Sequence, residues 1–459
     1  KDVIKQASPL GGWMWTERLK NWIKNRVNFY LLLIVLLALF LRAYKFADNF
    51  NFNAEFGDNL LDVKNAIGAN FLPLVGPQTS HPWLSFGPFY YWLLIPVMKI
   101  FNFEPLAAGW IGIVVGVAVV VANYYVINKI FSKTVALLSS FLIAVSPLWV
   151  SYSKDARFFF FVTLLFYPFF WSLYKKNFFW AGFWFGLMFS FHYSPVIFVV
   201  VILIFWKEKI SPKMLPRILV GMLLPNIPLL IYDSQHAFRM ISNFLLWIPY
   251  RIAGFLGFYP KNNFTLETFA GNLNLVNEFI GKSFTLNEKL WPIISMFILA
   301  LSLYFLIKKS GKLFLTFSFA VGIVAIFVHG DAPLHYFLPI FPIPLIIFSL
   351  FIDSLKDKRK YFFFLLLTIL FLLNFNGLLR NTAPVSYKVL KEISGFIVKD
   401  AKGQPFSLKR VGSYDYFEEN FSQNYRYLMW LYGNEPVKKA NLVYTIYEDT
   451  MEIKKKIAN

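Results

Sequence analysis

Uninterrupted apolar runs recur along the chain near 28–45, 105–128, 134–151, 157–174, 178–206, 214–232, 290–307, 312–329, 335–352 and 361–379, with short polar clusters between them. A helix needs about twenty such residues to cross a bilayer. A membrane β-strand would alternate apolar and polar positions over about ten residues, and neither Phe29 to Leu41 nor Gly112 to Val121 alternates. The runs therefore predict spanning helices. The long run 178–206 has Lys175 and Lys176 before it, Lys207, Lys209 and Lys213 after it, and a break at His192, Tyr193, Ser194 and Pro195. Basic residues at both ends belong on the same, cytoplasmic face, so this run predicts a hairpin of two short helices. The stretch 86–101 is apolar but short, and carries Pro88, Pro96 and Lys99. Laid along the membrane surface, it leaves Lys308, Lys309, Lys312, Lys356, Lys358, Arg359 and Lys360 on the same side as Lys20, Lys24 and Arg26. The prediction is a multi-pass protein of the cytoplasmic (inner) membrane with eleven spans, the N-terminus inside and the C-terminus outside.

That topology divides the chain into a cytoplasmic amphipathic segment (1–27), a transmembrane domain (28–379) and a small extracytoplasmic α/β domain (380–459). The polar outer segments are 46–104, 152–156, 233–289, 330–334 and the C-terminal domain, with 46–104 and 233–289 as the two large outer loops. Within the C-terminal domain, Ser386 to Val398 and Tyr425 to Tyr432 read as helices, and Phe406 to Val411 and Leu442 to Tyr447 as strands. The fold class is thus an all-α polytopic membrane protein with a small α/β appendage.

Composition narrows the class. At 57% hydrophobic, 20% aromatic and 15% charged, the chain carries far less charge than the roughly 25% of a soluble domain. The net charge of +20 would suggest nucleic acid in a soluble protein, but here the basic residues cluster between spans, as in cytoplasmic loops. A nucleic-acid partner is excluded on that pattern. The absence of cysteine removes disulfides, thiolate metal sites and cysteine nucleophiles.

Candidate chemistry gathers in the outer segments. From Asn53 to Ile67 the period is helical: Glu55, Asp58 and Asp62 share one face, while Phe56, Leu60, Val63 and Ile67 share another. This predicts an interfacial helix with its apolar face in lipid. Asp62, beside Lys64, reads as a solvated acid; Glu55 and Asp58 have few compensating charges nearby and read as functional. A second constellation closes the third span with Lys154, Asp155 and Arg157 ahead of Phe158 to Phe161. Lys154 is explained by snorkelling alone, whereas a guanidinium at position 157 suits a phosphate, whose oxygens match its forked donors. His192, and His236 with Arg239, stand near outer helix ends. The five histidines are too scattered to make a metal site. No phosphate-cradling glycine loop, zinc spacing or nucleophile elbow is present, so an activated donor would arrive as a lipid.

The order of these features carries a resemblance. The acidic interfacial segment is followed by Gly76–Pro–Gln–Thr–Ser, Phe86–Gly–Pro–Phe–Tyr–Tyr–Trp, Ser146–Pro with Tyr152–Ser–Lys, Phe191–His–Tyr–Ser, Leu224–Pro–Asn–Ile–Pro with His236–Ala–Phe, and His335–Tyr–Phe–Leu–Pro–Ile–Phe–Pro. Tyr425–Arg–Tyr–Leu and Gly433–Asn–Glu–Pro extend it into the C-terminal domain. This order resembles the integral-membrane glycosyltransferases of the GT-C superfold, in particular bacterial relatives of protein O-mannosyltransferases and aminoarabinose transferases.

The resemblance implies an inverting glycosyltransferase. It would move a sugar from a polyprenyl-phosphate carrier to a lipid, glycan or protein hydroxyl on the outer face of the membrane. In such families an Asp of the first outer loop, usually followed by a second acid, is the base; Glu55 occupies that place, Phe56 replaces the second acid, and Asp58 is the reserve. A carboxylate would take the acceptor's proton during attack, and Arg157, Lys154 and Arg239 would stabilise the leaving phosphate. Asp155, His81, Tyr90, His192, His236 and His335 are further substrate-site candidates. The isoprenoid would lie among aromatic helices, with Phe158 to Phe161, Tyr90, Tyr91 and Trp92 as lining; by default these rings simply face lipid. No cofactor is indicated with certainty, and no ligand pattern points to a divalent metal. The competing class is a flippase of lipid-linked glycans. Alternating-access carriers usually show repeats, broken helix pairs and mid-membrane charges, whereas here the polar groups collect at one face.

Overall fold

The computed structural model describes residues 26–202, 214–258, 265–308, 313–330, 332–355, 357–380, 385–412 and 421–457. The amphipathic segment assigned to 1–27 lies almost wholly outside these residues. Every predicted span position carries a helix, and the chain is a multi-pass membrane protein. In chain order the bundle contains α1 (Arg26–Ala43), then the two longer helices of the first polar loop, α2 (Ala54–Gly68) and α3 (Phe89–Ile100), then α4 (Pro105–Ile130), α5 (Lys133–Val145), α6 (Pro147–Ser153), α7 (Phe160–Tyr174) and α8 (Phe178–Phe191). It continues through α9 (Leu215–Leu223), α10 (Ile227–Gln235), α11 (Arg239–Phe255), α12 (Leu266–Phe284), α13 (Trp291–Ile307), α14 (Leu313–His329), a 3-10 segment (Leu334–Ile340), α15 (Ile343–Asp353) and α16 (Asp357–Leu378).

Arg26–Ala43, Pro105–Ile130, Leu215–Gln235, Glu288–Ile307 and Tyr361–Leu378 are each long and apolar enough to cross a bilayer. α5 with α6, bent by 60°, and the 3-10 segment with α15, bent by 48°, reach that length as pairs. The bends have local causes: Ser146 and Pro147 interrupt the first pair, and Pro339 and Pro342 the second. At about 1.5 Å per residue, the twelve residues of α3 are too short to span, in keeping with a surface position.

The described part of the 178–206 run, 178–202, is a hairpin. Phe191, at the end of α8, stacks on Phe161 at the start of α7, with centroids 4.6 Å apart. After the break at His192–Val196, Phe198 lies beside Phe166 and Phe169, further along α7. The chain has therefore turned back. The neighbours of α9 agree: a Cβ on Gly182 would sit 2.1 Å from the carbonyl oxygen of Ile218, and one on Gly186 2.2 Å from that of Met222. α8 and α9 thus run parallel, backbone against backbone, which only a side chain of hydrogen permits.

At the end of the bundle where α2 and α3 sit, α12 lies across the helix ends. Its Phe269 meets Phe327 of α14, Phe279 stacks on Phe337 at 4.2 Å, and Asn374 of α16 accepts from the Thr285 hydroxyl at 3.1 Å.

The C-terminal domain comprises α17 (Tyr387–Ala401), β1 (Phe406–Val411), α18 (Gln423–Leu431), β2 (Leu442–Tyr447) and β3 (Glu452–Ile457). β1 pairs parallel with β2, and β2 antiparallel with β3. Both expected strands stand where the alternation placed them, and the helices are shifted by one to three residues. β3 was not expected, because Glu–Ile–Lys–Lys–Lys–Ile offers an exposed edge with few apolar residues.

Candidate active site

α2 begins at Asn53, whose side chain accepts the Phe56 amide at 2.9 Å. This cap fixes the first turn and sets Glu55 on an exposed face. The opposite face is not in lipid as its pattern suggested. Phe56, Leu60 and Val63 are fully buried because α18 of the C-terminal domain packs on this helix. Contact is made at Gly57, where a Cβ would fall 2.4 Å from the backbone nitrogen of Asn424. The Asn424 amide donates to the Phe52 carbonyl at 3.0 Å, and Lys64 pairs with Glu435 at 2.7 Å. Asp62 is consequently not the solvated partner of Lys64. It accepts from the buried Tyr91 hydroxyl at 2.7 Å, and burial raises its pKa despite that bond.

The second constellation comes to meet α2. Arg157, just before α7, donates from Nε to Asp155 Oδ1 at 2.8 Å and from Nη2 to Oδ2 at 2.5 Å, while Nη1 reaches Glu55 Oε2 at 2.5 Å. Its plane lies over the Phe159 ring, 4.6 Å from the centroid. Burial alone would lower this guanidinium's pKa, but Asp155 and Glu55 raise it. The geometry is a forked cation held between two acids. Two of its five N–H donors carry none of these bonds and remain for another anion. Asp58 is exposed, yet the protein around it, then Asp62 and Glu55, push its carboxyl up to about 6, with Arg426 of α18 acting the other way. The Arg426 Nε is buried without a hydrogen-bond partner among the described residues. Position 426 was read only as part of a motif. Its approach to Asp58 links segments 368 positions apart by number, for which the local pattern carries no signal.

Around this core, Tyr90 donates to the Ala156 carbonyl at 2.9 Å. His335 stacks on Phe159 at 4.4 Å, and His192 lies 5.4 Å from His335 and bonds Ser194 at 2.7 Å. Tyr90, Tyr91 and Phe158 to Phe160 are buried in protein, which corrects their default assignment to lipid. Lys154 does not snorkel: it is buried, its ammonium lies 3.4 Å from the Leu378 carbonyl, and burial, then Arg42, lower its pKa to about 8.

Three predicted residues stand apart. His236 stacks on Tyr232 and bonds its carbonyl, exposed on the surface, and Arg239 is exposed at the start of α11. His81 lies against Trp83 and Trp247. Arg251, also on α11, bonds the His329 carbonyl at 2.7 Å and lies over Trp247.

Known proteins match this architecture. Residues 80–232 match the family model described as dolichyl-phosphate-mannose-protein mannosyltransferase. The oligosaccharyltransferase of Archaeoglobus fulgidus, in its apo form, superposes with a TM-score of 0.52 at 14% identity, covering 89% of this chain and 64% of that one. The chain thus spans less than two thirds of that protein's length. ArnT from Cupriavidus metallidurans, in the apo state, superposes with a TM-score of 0.53 at 12% identity, covering 92% and 93%. ArnT bound to undecaprenyl phosphate gives 0.53 at 11% identity, covering 88% and 75%. No curated protein matches in sequence. At these identities the likeness shows the fold, which is that of the GT-C type.

Proposed function

We propose that this chain is an inverting glycosyltransferase that moves a sugar from a polyprenyl-phosphate carrier to an acceptor hydroxyl on the outer face of the cytoplasmic membrane. The observation that carries the reading is Arg157 held between Glu55 and Asp155. The partial match to a mannosyltransferase family and the likeness to a protein bound to undecaprenyl phosphate support it.

Donor phosphate arriving at Arg157 competes with Glu55 for the guanidinium. Asp155 grips it with three contacts and holds it in place, while the exposed Glu55 carboxylate is released toward the acceptor. The acceptor oxygen then attacks the anomeric carbon as its proton passes to Glu55. The bond from that carbon to the phosphate oxygen breaks, and the electron pair leaves on the lipid phosphate beside Arg157. Lys154 is buried behind the site and acts through its field; Arg239 has no role that its surface position supports.

A second assignment of the base has its own observation. Asp58, with its carboxyl pushed up to about 6, is better matched to proton abstraction near neutral pH. The deciding experiment incubates the purified chain with a panel of polyprenyl-phosphate sugars and follows release of polyprenyl phosphate. Turnover lost in Glu55→Gln but largely kept in Asp58→Asn supports Glu55 as base; the reverse order moves the role to Asp58. No turnover of any donor overturns the transferase reading.

A further inference from the structure

Between α12 and the start of α13, at the same end of the bundle as the acidic cluster, the surface opens into a groove of about 430 Å³ lined by Gly271, Asn274, Asn277, Glu278, Glu288 and Trp291, among others. That volume lies within the range of small-molecule sites. The lining mixes these polar side chains with Leu275, Pro292 and a single large aromatic. Trp291 is held in place: its indole N–H donates to the Thr285 carbonyl at 2.9 Å, and the ring lies against the bare Cα of Gly281, where a Cβ would come within 2.3 Å of it. The ring thus presents a fixed apolar surface whose own donor is already satisfied. Facing it, the side-chain amides of Asn274 and Asn277 bond no other described residue, and neither does the Glu288 carboxylate. Glu278 is paired with Lys282 at 3.0 Å. Gly271 adds no bulk, and a Cβ there would meet nothing within 4 Å.

A rigid aromatic ring, two free amides and a free carboxylate match a pyranose, which offers an apolar C–H face for the ring and equatorial hydroxyls for amide and carboxylate partners. An anionic ligand is disfavoured by the two carboxylates, and a purely apolar one would strand the amides. The groove also lies near the site, because α12 packs against α6, the helix that ends just before Lys154, Asp155 and Arg157.

We infer that this groove binds a neutral saccharide, the glycan portion of the acceptor, and so holds a hydroxyl-bearing chain beside the acidic cluster. The inference deepens the transferase reading and rests on it for the word acceptor; binding of a saccharide does not depend on that reading.

The test uses the full chain in detergent and saturation-transfer NMR with three neutral trisaccharides: cellotriose, mannotriose and triacetylchitotriose. At least one is expected to bind, with its ring C–H protons receiving the strongest transfer. Asn274→Trp, which fills the groove from an exposed position, should weaken that binding at least ten-fold. Trp291→Phe should retain more of it than Trp291→Ala. Glu55→Gln should bind the trisaccharide as the wild type does. In turnover, Asn274→Trp should raise the acceptor KM and leave water-driven donor hydrolysis unchanged. Failure of all three trisaccharides to bind, or wild-type binding by Asn274→Trp, overturns the groove. So does a Ser/Thr-rich peptide that binds in their place. Trisaccharide binding without any donor turnover in the wild type leaves the groove standing and removes the transferase reading instead.

Discussion

Arg42 and Arg157 are two enclosed guanidiniums at the same end of the bundle, and their partners differ in kind. Arg42, on α1, is fully buried and donates to the carbonyls of Ala38 and Ala144 at 2.9 Å, to that of Ile143 at 3.3 Å and to the Ser153 hydroxyl at 3.1 Å. All of these are neutral and belong to α1, α5 and α6, so the side chain ties three helices together. Arg157 is held by two carboxylates, one of them nearly half exposed. Neutral backbone acceptors cannot leave without unfolding a helix end, whereas an exposed carboxylate exchanges readily for a phosphate. The first arrangement builds the bundle, and the second leaves a cation ready for a ligand.

Substitution at both arginines should separate these roles, and the largest effect is expected at Arg42. Arg42→Met removes four hydrogen bonds from a buried site, a loss on the order of 3 kcal/mol or more. It should abolish recovery of monodisperse protein in size-exclusion chromatography, while Arg157→Lys, which keeps a cation beside the buried Asp155, should elute as wild type. Equal recovery of the two variants would erase the contrast.

Next in size, Arg157→Lys should fold normally yet lose roughly 10²-fold in donor turnover, because a point ammonium cannot grip Asp155 through two donors and a phosphate through others. Wild-type turnover in this variant would reduce Arg157 to a surface ion pair. A comparable, diagnostic effect is expected at Glu55. If Glu55 serves only as the counter-ion of Arg157, Glu55→Gln should lower the donor KM and spare kcat; as the base it should lose kcat by roughly 10²-fold.

The smallest effect is in pH. Asp58 carries its charge above about 6, so a rate that needs the Asp58 anion should rise as pH rises through that value and level off above it. Asp58→Asn should flatten this limb of the profile. An unchanged limb would assign it to another group.

How much of this was legible beforehand follows the range of each interaction. The break in the 178–206 run, the α2 helix and the strands at 406–411 and 442–447 rest on period, proline and charge within about ten neighbouring residues, and the structure has them. The interest of Glu55, Asp58 and Arg157 was also readable: the two acids have few compensating charges nearby, and Arg157 runs straight into Phe158 to Phe161. The lipid-facing assignment of α2 failed because amphipathicity states that a face is buried, not what buries it.

The sequence by itself determined a multi-pass helical membrane protein with its polar chemistry in the loops at one end, because hydrocarbon forbids unpaired backbone and charge and writes that prohibition into every span. The tertiary structure decided which distant charges meet. The Arg157–Glu55 bond joins residues 102 apart, and Lys64–Glu435 joins residues 371 apart. Such pairings leave no period in the chain; they exist only once the packing of apolar helices has brought the loops together.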